Sequence, residues 1–302
     1  MAEGYGKDHW KNATNYESFE LRAHRFRPEL RPVFFAWLGI KPDSRVLDAG
    51  CGSGVFTRYL AGGLEAGHIT SFDISPAFVE FGNRRHAELG LSARILLEVQ
   101  DGYALSYPDD HFDAVTNYTY VGTLEDPEAG MREMVRVCKP GGTVSSVIAS
   151  NALPRAGYEG CFPFDPDGTL GRLVQRENRA FSDIVGVAYA NHMNELEATR
   201  KVGLRDIRLF PFAHLICFSD AGVPLEYRRA LALDETREEI SWLRSRFSQN
   251  EAEYEKRGFR RRDYEELASL LEQKYAHYET DFETDQSFEW HGGYNYIVTG
   301  VK

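Results

Sequence analysis

The chain has 302 residues, 42% of them hydrophobic, and a formal net charge of −11 with a sequence pI near 5.4. That is enough apolar content for a sizeable core, while the acidic balance disfavours phosphate backbones as partners, so nucleic acid is a poor candidate. The four cysteines (Cys51, Cys138, Cys161, Cys217) lie far apart with no C-x-x-C, which argues against a zinc site and a disulfide scaffold, and no metal is expected.

The N-terminus is polar, with no signal-peptide core, and apolar runs such as Val33–Ile40 are far too short to span a bilayer. The expectation is a soluble, cytoplasmic protein with no membrane partner. Residues 1–40 read as a helical segment, with Thr14 and Glu17 spaced as a capping box. Arg45–Asp48 reads as a buried strand. It runs into Asp48-Ala49-Gly50-Cys51-Gly52-Ser53-Gly54, a turn almost without side-chain bulk, and then into a helix to about Ala61.

A strand, a glycine turn and a helix N-terminus put backbone N–H groups against a ligand. The spacing excludes two ligand classes. The dinucleotide pattern G-x-G-x-x-G fails because Val55 and Thr57 stand where its third glycine would be, and no Lys follows as in a phosphate-cradling loop.

His68–Asp73 is a second strand. Ser75-Pro76 gives an N-cap with Pro at the first helical position, and that helix stops at Gly90. Arg94–Val99 and Phe112–Asn117 are the third and fourth strands. Asp126-Pro127 opens a helix through Val137, Lys139-Pro140-Gly141-Gly142 is a turn, and Thr143–Ala149 is a fifth strand. Repeated βα units with β-branched strands predict a parallel sheet covered on both faces.

Beyond it, 150–182 is rich in Pro and Gly and reads as irregular. Asn191–Val202 has helical spacing, Leu204–Phe212 is a sixth strand, and 220–289 is charged and helical, with Asp263 and Glu266 spaced as a capping box. Tyr294–Val301 alternates as a last strand, so a final hairpin is split by roughly seventy residues, long for a hairpin loop.

The motif at 48–54 resembles motif I of the class I S-adenosylmethionine (SAM)-dependent methyltransferases. Gln100-Asp101-Gly102-Tyr103-Ala104-Leu105-Ser106-Tyr107-Pro108, Phe112-Asp113-Ala114-Val115 and Arg136–Gly142 are similar to later landmarks of that family, in order, and the chain is similar to its small-molecule, ubiquinone-biosynthesis-like branch. Gln100 and Ser106 depart from the family's usual Gly and Pro.

The resemblance covers about 40–150 well and 190–212 loosely. It implies an α/β, Rossmann-like, seven-stranded doubly wound sheet with helical cap insertions. The division implied is an N-terminal helical cap segment (1–40), a SAM-binding core (41–219 and 290–302, with an irregular insertion at 150–185) and a helical cap insertion (220–289).

It further implies SAM as cofactor and S-adenosylhomocysteine as product, by in-line displacement, and the cap, a lid suited to enclosing a substrate, points to a small or medium-sized acceptor. The cofactor residues would be Asp48, Gly50, Cys51, Gly52 and Gly54 at the methionine end. Asp73 and Ile74 would serve the ribose, and Asp101, Gly102 and Tyr103 the adenine. Asn117 and Tyr118 would stand beside the methionine moiety or the acceptor, and Arg22 would meet the carboxylate.

Catalytic candidates are Tyr118, His192 and His291. Cys51 is read as a small residue in a tight loop and not as a nucleophile, since no His lies near it. Asn117-Tyr118-Thr119-Tyr120 lacks the two prolines of base-methylating enzymes, which counts against base N-methylation. The competing readings are a methyltransferase acting on RNA or protein, and a SAM- or S-adenosylhomocysteine-binding module without transfer. A homodimer is compatible with the sequence.

Overall fold

The computed structural model describes residues 11, 16, 20, 23, 26–65, 68–149, 157–185, 188–218, 220, 222–282 and 288–302. Arg22, Thr14 and Glu17 lie outside the described residues, as do the side chains of His192 and His291.

The chain divides into two compact units. The first is Met1–Ser150, Tyr189–Phe212 and Asn295–Lys302, and the second is Asn151–Ala188 and Ala213–Tyr294. The stretches read as insertion (150–185) and cap (220–289) thus belong largely to one unit, and the residues before 41 fall with the sheet.

In the first unit, helix α1 (Arg31–Leu38) precedes β1 (Val46–Ala49), α2 (Val55–Ala61), β2 (Ile69–Asp73), α3 (Pro76–Glu88), β3 (Ile95–Val99), β4 (Phe112–Tyr118), α4 (Pro127–Val137) and β5 (Cys138–Ala149). The strands β3-β2-β1-β4-β5 are parallel neighbours in that order. Every residue of β1 is buried, as a central parallel strand with both faces covered requires.

The pleat sorts the core. Val46 pairs with Ala114 and faces the side with Phe34, Leu38, Phe56 and Leu60, whereas Leu47 pairs with Val115 and faces the side with Phe72, Met131 and Met134. Because β2 and β3 lie on one side of β1 and β4 on the other, the strand order reverses between β1 and β4. In open α/β sheets that point, at the C-terminal ends of those strands, is where ligands bind.

The chain continues through β6 (Gly157–Cys161), α5 (Thr169–Val185), α6 (Ala188–Lys201), β7 (Arg205–Cys217), α7 (Leu225–Lys256), α8 (Arg261–Thr280) and β8 (Phe288–Val301). The second half of β8 pairs antiparallel with β5, and β7 pairs with β8 as well. These seven strands form the expected doubly wound sheet, with the α7–α8 region inside the split hairpin. An eighth strand, β6, pairs with the first half of β8.

The sequence reading of 150–182 as irregular needs correction, because α5 occupies its second half. Its start is built by Asp165, whose carboxylate accepts the N–H groups of Thr169 (2.9 Å) and Leu170 (2.8 Å) just after the left-handed Gly168. At α8 the capping box is shifted: Asp263 is the N3 residue and accepts the N–H of Arg260 at 2.8 Å.

The second unit packs aromatics on one another. Phe247 stacks on Tyr264 with centroids 4.2 Å apart, and Tyr254 packs on Phe259 at 5.5 Å. The aromatics of this unit serve its own core in these pairs, while Trp242 is 46% exposed.

Lys274 is buried between Glu239 (3.0 Å) and Glu289 (2.6 Å), and Glu289 also accepts from the Tyr278 hydroxyl. The two carboxylates keep the Lys274 ammonium charged despite its burial. Among the described residues no helix is long and apolar enough to cross a membrane.

Removing a buried cation leaves two carboxylates facing each other. Lys274→Ala is expected to cost about 3–5 kcal/mol in urea unfolding of the second unit. An unchanged midpoint would show that the ion cluster contributes nothing.

Candidate functional site

The glycine turn between β1 and α2 sits at the crevice. Gly50 (φ +64°), Gly52 (φ +56°) and Gly54 (φ +82°) all take left-handed backbone that other residues rarely adopt. Gly54 also has to be bare, because a Cβ there would lie 2.7 Å from Cε1 of His86. His86 is fully buried on α3, and burial together with Arg58 lowers its pKa to about 4, so it supports the turn as a neutral ring.

Asp48 ends up beneath this turn. Its Oδ2 accepts from the Thr57 hydroxyl at 2.6 Å, and its Oδ1 is buried without a partner among the described residues. Burial pushes its pKa up to about 7, the Thr57 hydrogen bond opposes that, and Asp73 adds to it.

Asp73, at the end of β2, accepts the N–H of Gly52 (2.9 Å) through Oδ2 and that of Ser75 (2.9 Å) through Oδ1. It ties the glycine turn to the head of α3. The N-cap of that helix is Ser75, whose hydroxyl accepts the Phe78 N–H at 3.3 Å. Burial raises the Asp73 carboxyl, against the pull of these backbone donors and of the Ile74 N–H. Ile74 is half-buried beside it.

Cys51 is half-buried, and burial with two carboxylates nearby pushes its thiol far up. Such a thiol is a poor nucleophile, in keeping with a packing role. Beyond β3, Asp101 accepts the N–H of Tyr103 at 3.1 Å, and the Tyr103 hydroxyl accepts the N–H of Asp126 at 2.9 Å, which ties the loop after β3 to the start of α4.

At the end of β4, Asn117 and Tyr118 point to opposite faces. The Asn117 amide donates to the Ser146 hydroxyl (2.7 Å) and the Ser145 carbonyl (3.3 Å), and it accepts the Tyr120 N–H (3.3 Å). Its polar atoms are therefore engaged inside the protein. Tyr118 packs against Phe26 and Phe56, with centroids 5.1 and 5.4 Å away.

The structure therefore gathers Asp48, the glycines with Cys51, Asp73, Ile74, Asp101, Gly102 and Tyr103 at the C-terminal ends of β1, β2 and β3, with Asn117 and Tyr118 at the end of β4. Arg22, His192 and His291 are not among the side chains it describes.

Glu20 and Glu195 were not singled out from the sequence. Both carboxylate oxygens of Glu20 accept from Nη2 of Arg58 (2.7 and 2.6 Å), and Oε1 also accepts from the Ser53 hydroxyl at 3.1 Å, so Glu20 is tied to the glycine turn. Tyr16 stacks on Phe81 at 4.4 Å.

Glu195 on α6 is buried, and burial raises its pKa to about 8 against hydrogen bonds from the Ser146 hydroxyl and the Gly122 N–H. A glutamate in a polar helical stretch carries no sequence signal that it will be buried. Among the described residues no group of three His, Cys, Asp or Glu side chains could hold a metal.

Residues 46–142 match a family model described as a methyltransferase domain. The ubiquinone/menaquinone biosynthesis C-methyltransferase of Pseudomonas fluorescens is 30% identical over 150 residues, 47% of this chain and 57% of that protein. A demethylmenaquinone methyltransferase of Bacteroides fragilis is 28% identical over 148 residues, 48% of this chain and 60% of that one. The match thus spans little more than half the length of these relatives.

A solved phosphoethanolamine N-methyltransferase of Haemonchus contortus, in complex with phosphomonomethylethanolamine and S-adenosylhomocysteine, shares the fold. Its TM-score is 0.50 at 16% identity, covering 98% of this chain and 60% of that one. Residues 46–142 thus form a methyltransferase domain, and the fold around them is shared with that solved enzyme.

The site makes a pH prediction for the cofactor-free protein. A carboxyl whose pKa rises from 3.8 to about 7 on folding gives a contribution that is complete below 3.8 and lost as pH passes 7. Compared with Asp48→Asn, the wild type should lose roughly 4 kcal/mol of unfolding free energy between pH 4 and 8 by linkage. Parallel pH curves for the two proteins would show that Asp48 titrates normally.

Proposed function

We propose that the protein transfers the methyl group of SAM to a small or medium-sized acceptor and releases S-adenosylhomocysteine. The observation that carries this reading is the buried Asp48 with one unpartnered oxygen under a turn of three left-handed glycines, at the point where the strand order reverses.

The residues fit the cofactor's chemistry. Asp48 has a free acceptor for an ammonium, the bare turn admits an amino-acid end to the main chain, and Asp73 is a carboxylate placed for sugar hydroxyls. When bound, SAM supplies a sulfonium-activated methyl group with a neutral thioether as leaving group. The protein's share is to hold the acceptor in line with that group and to keep water out.

Tyr118, on the aromatic face, and the buried Glu195, whose carboxyl is raised to about 8, lie by the end of β4 where an acceptor would enter. The named activity of the Pseudomonas and Bacteroides relatives, methylation in quinone biosynthesis, supports a small aromatic acceptor. The balance of 11 basic and 17 acidic side chains in residues 221–290 counts against a nucleic-acid surface.

The test is calorimetric titration with S-adenosylhomocysteine, followed by methyl transfer from SAM to a panel of phenolic and quinol acceptors. Wild-type protein should bind, and Asp73→Asn should bind about tenfold or more weakly, as expected for loss of a charge-assisted acceptor. Equal binding by the variant would remove Asp73 from the cofactor site. Binding without transfer to any small acceptor, alongside transfer to RNA or protein, would overturn the acceptor assignment.

A further inference from the structure

Tyr120 follows the end of β4 and lies across the crevice. A Cβ added to Gly50 would collide with its ring, and one added to Gly102 would collide with its hydroxyl, so the side chain reaches from the methionine-end turn to the adenine-end loop. Its ring meets Phe72 edge-on at 5.8 Å. Its hydroxyl is wholly buried, has no hydrogen-bond partner among the described residues, and lies in the field of Asp73, Asp101 and Tyr103.

The backbone is built to hold it there. Thr119 sits at φ +56°, an outlier for a β-branched residue, and such conformations persist where the surroundings enforce them. The enforcement is visible. The Tyr120 N–H donates to Asn117 Oδ1 at 3.3 Å, and the Tyr120 carbonyl accepts both the N–H (2.9 Å) and the hydroxyl (2.7 Å) of Thr123. The Gly122 N–H is taken by Glu195. A strained turn, pinned on both sides, delivers one buried hydroxyl to the crevice and leaves it unpaired.

We propose that the Tyr120 hydroxyl is a cofactor ligand, and that the adenosyl group supplies its missing hydrogen-bond partner. The hydroxyl lies beside Gly102 and in the field of Asp73, at the ribose and adenine end, while the ring edge takes the place near Gly50. This inference rests on the cofactor reading above.

The test compares wild type with Tyr120→Phe, which keeps the ring and deletes the hydroxyl. Both are melted without ligand and titrated with S-adenosylhomocysteine and with 5′-methylthioadenosine, which keeps the adenosyl group and lacks the amino acid. Removing a buried unpaired hydroxyl should raise the melting temperature of the cofactor-free protein, and both ligands should bind the variant roughly three- to tenfold more weakly.

Equal or tighter binding of both ligands by the variant overturns the assignment, and tighter binding would mark the ring as an obstacle. Weakened binding of S-adenosylhomocysteine alone also overturns it, since the contact would then be to the amino-acid end. Failure of the wild type to bind either ligand overturns the cofactor reading and this inference together. Wild-type binding with an unaffected variant removes this inference only.

Discussion

The site depends on burying Asp48. A carboxyl group enclosed at the end of a central strand with a single hydroxyl partner is costly to ionise, and its unpartnered oxygen leaves about 1–3 kcal/mol of desolvation uncompensated. The three left-handed glycines make room for it by folding the chain back over β1 without side chains. Asp73 completes the arrangement by holding the Gly52 N–H and the start of α3. Strand, turn and helix are thus joined through two carboxylates, and the crevice is what remains between them.

The end of β4 divides labour between the two faces of the sheet. Asn117 is spent on an internal network with Ser146 and the Tyr120 backbone, and Glu195 closes that network from α6. Tyr118 joins the aromatic face with Phe26 and Phe56. The polar face therefore fixes the turn at 119–123, and the aromatic face gives the crevice an apolar wall.

Much of the first unit was legible in the sequence because its signals are local. The run Val46–Gly54 marks strand, turn and helix by residue type alone, and Ser75-Pro76 and Asp126-Pro127 mark helix starts that the structure shows. Contacts made across long separations were not legible. Nothing near Glu20 announces Arg58, and nothing in Asn-Glu-Leu-Glu announces that Glu195 will be buried against Ser146. Tyr120 was visible only as the end of a four-residue motif, since its meaning comes from two glycines fifty residues apart closing on it. The helix α5 was missed because the prolines before it dominated the reading, and the Asp165 cap that starts it depends on a side chain folding back.

The most direct measurement of the central claim is calorimetric titration with S-adenosylhomocysteine at pH 6.5 in two buffers of different ionisation enthalpy. Asp48 is mostly protonated there in the free protein, its pKa being about 7, and an ammonium set against its open oxygen favours the charged form. The account predicts binding with release of most of one proton, abolished in Asp48→Asn. Absence of binding, or binding with no proton release, would contradict it.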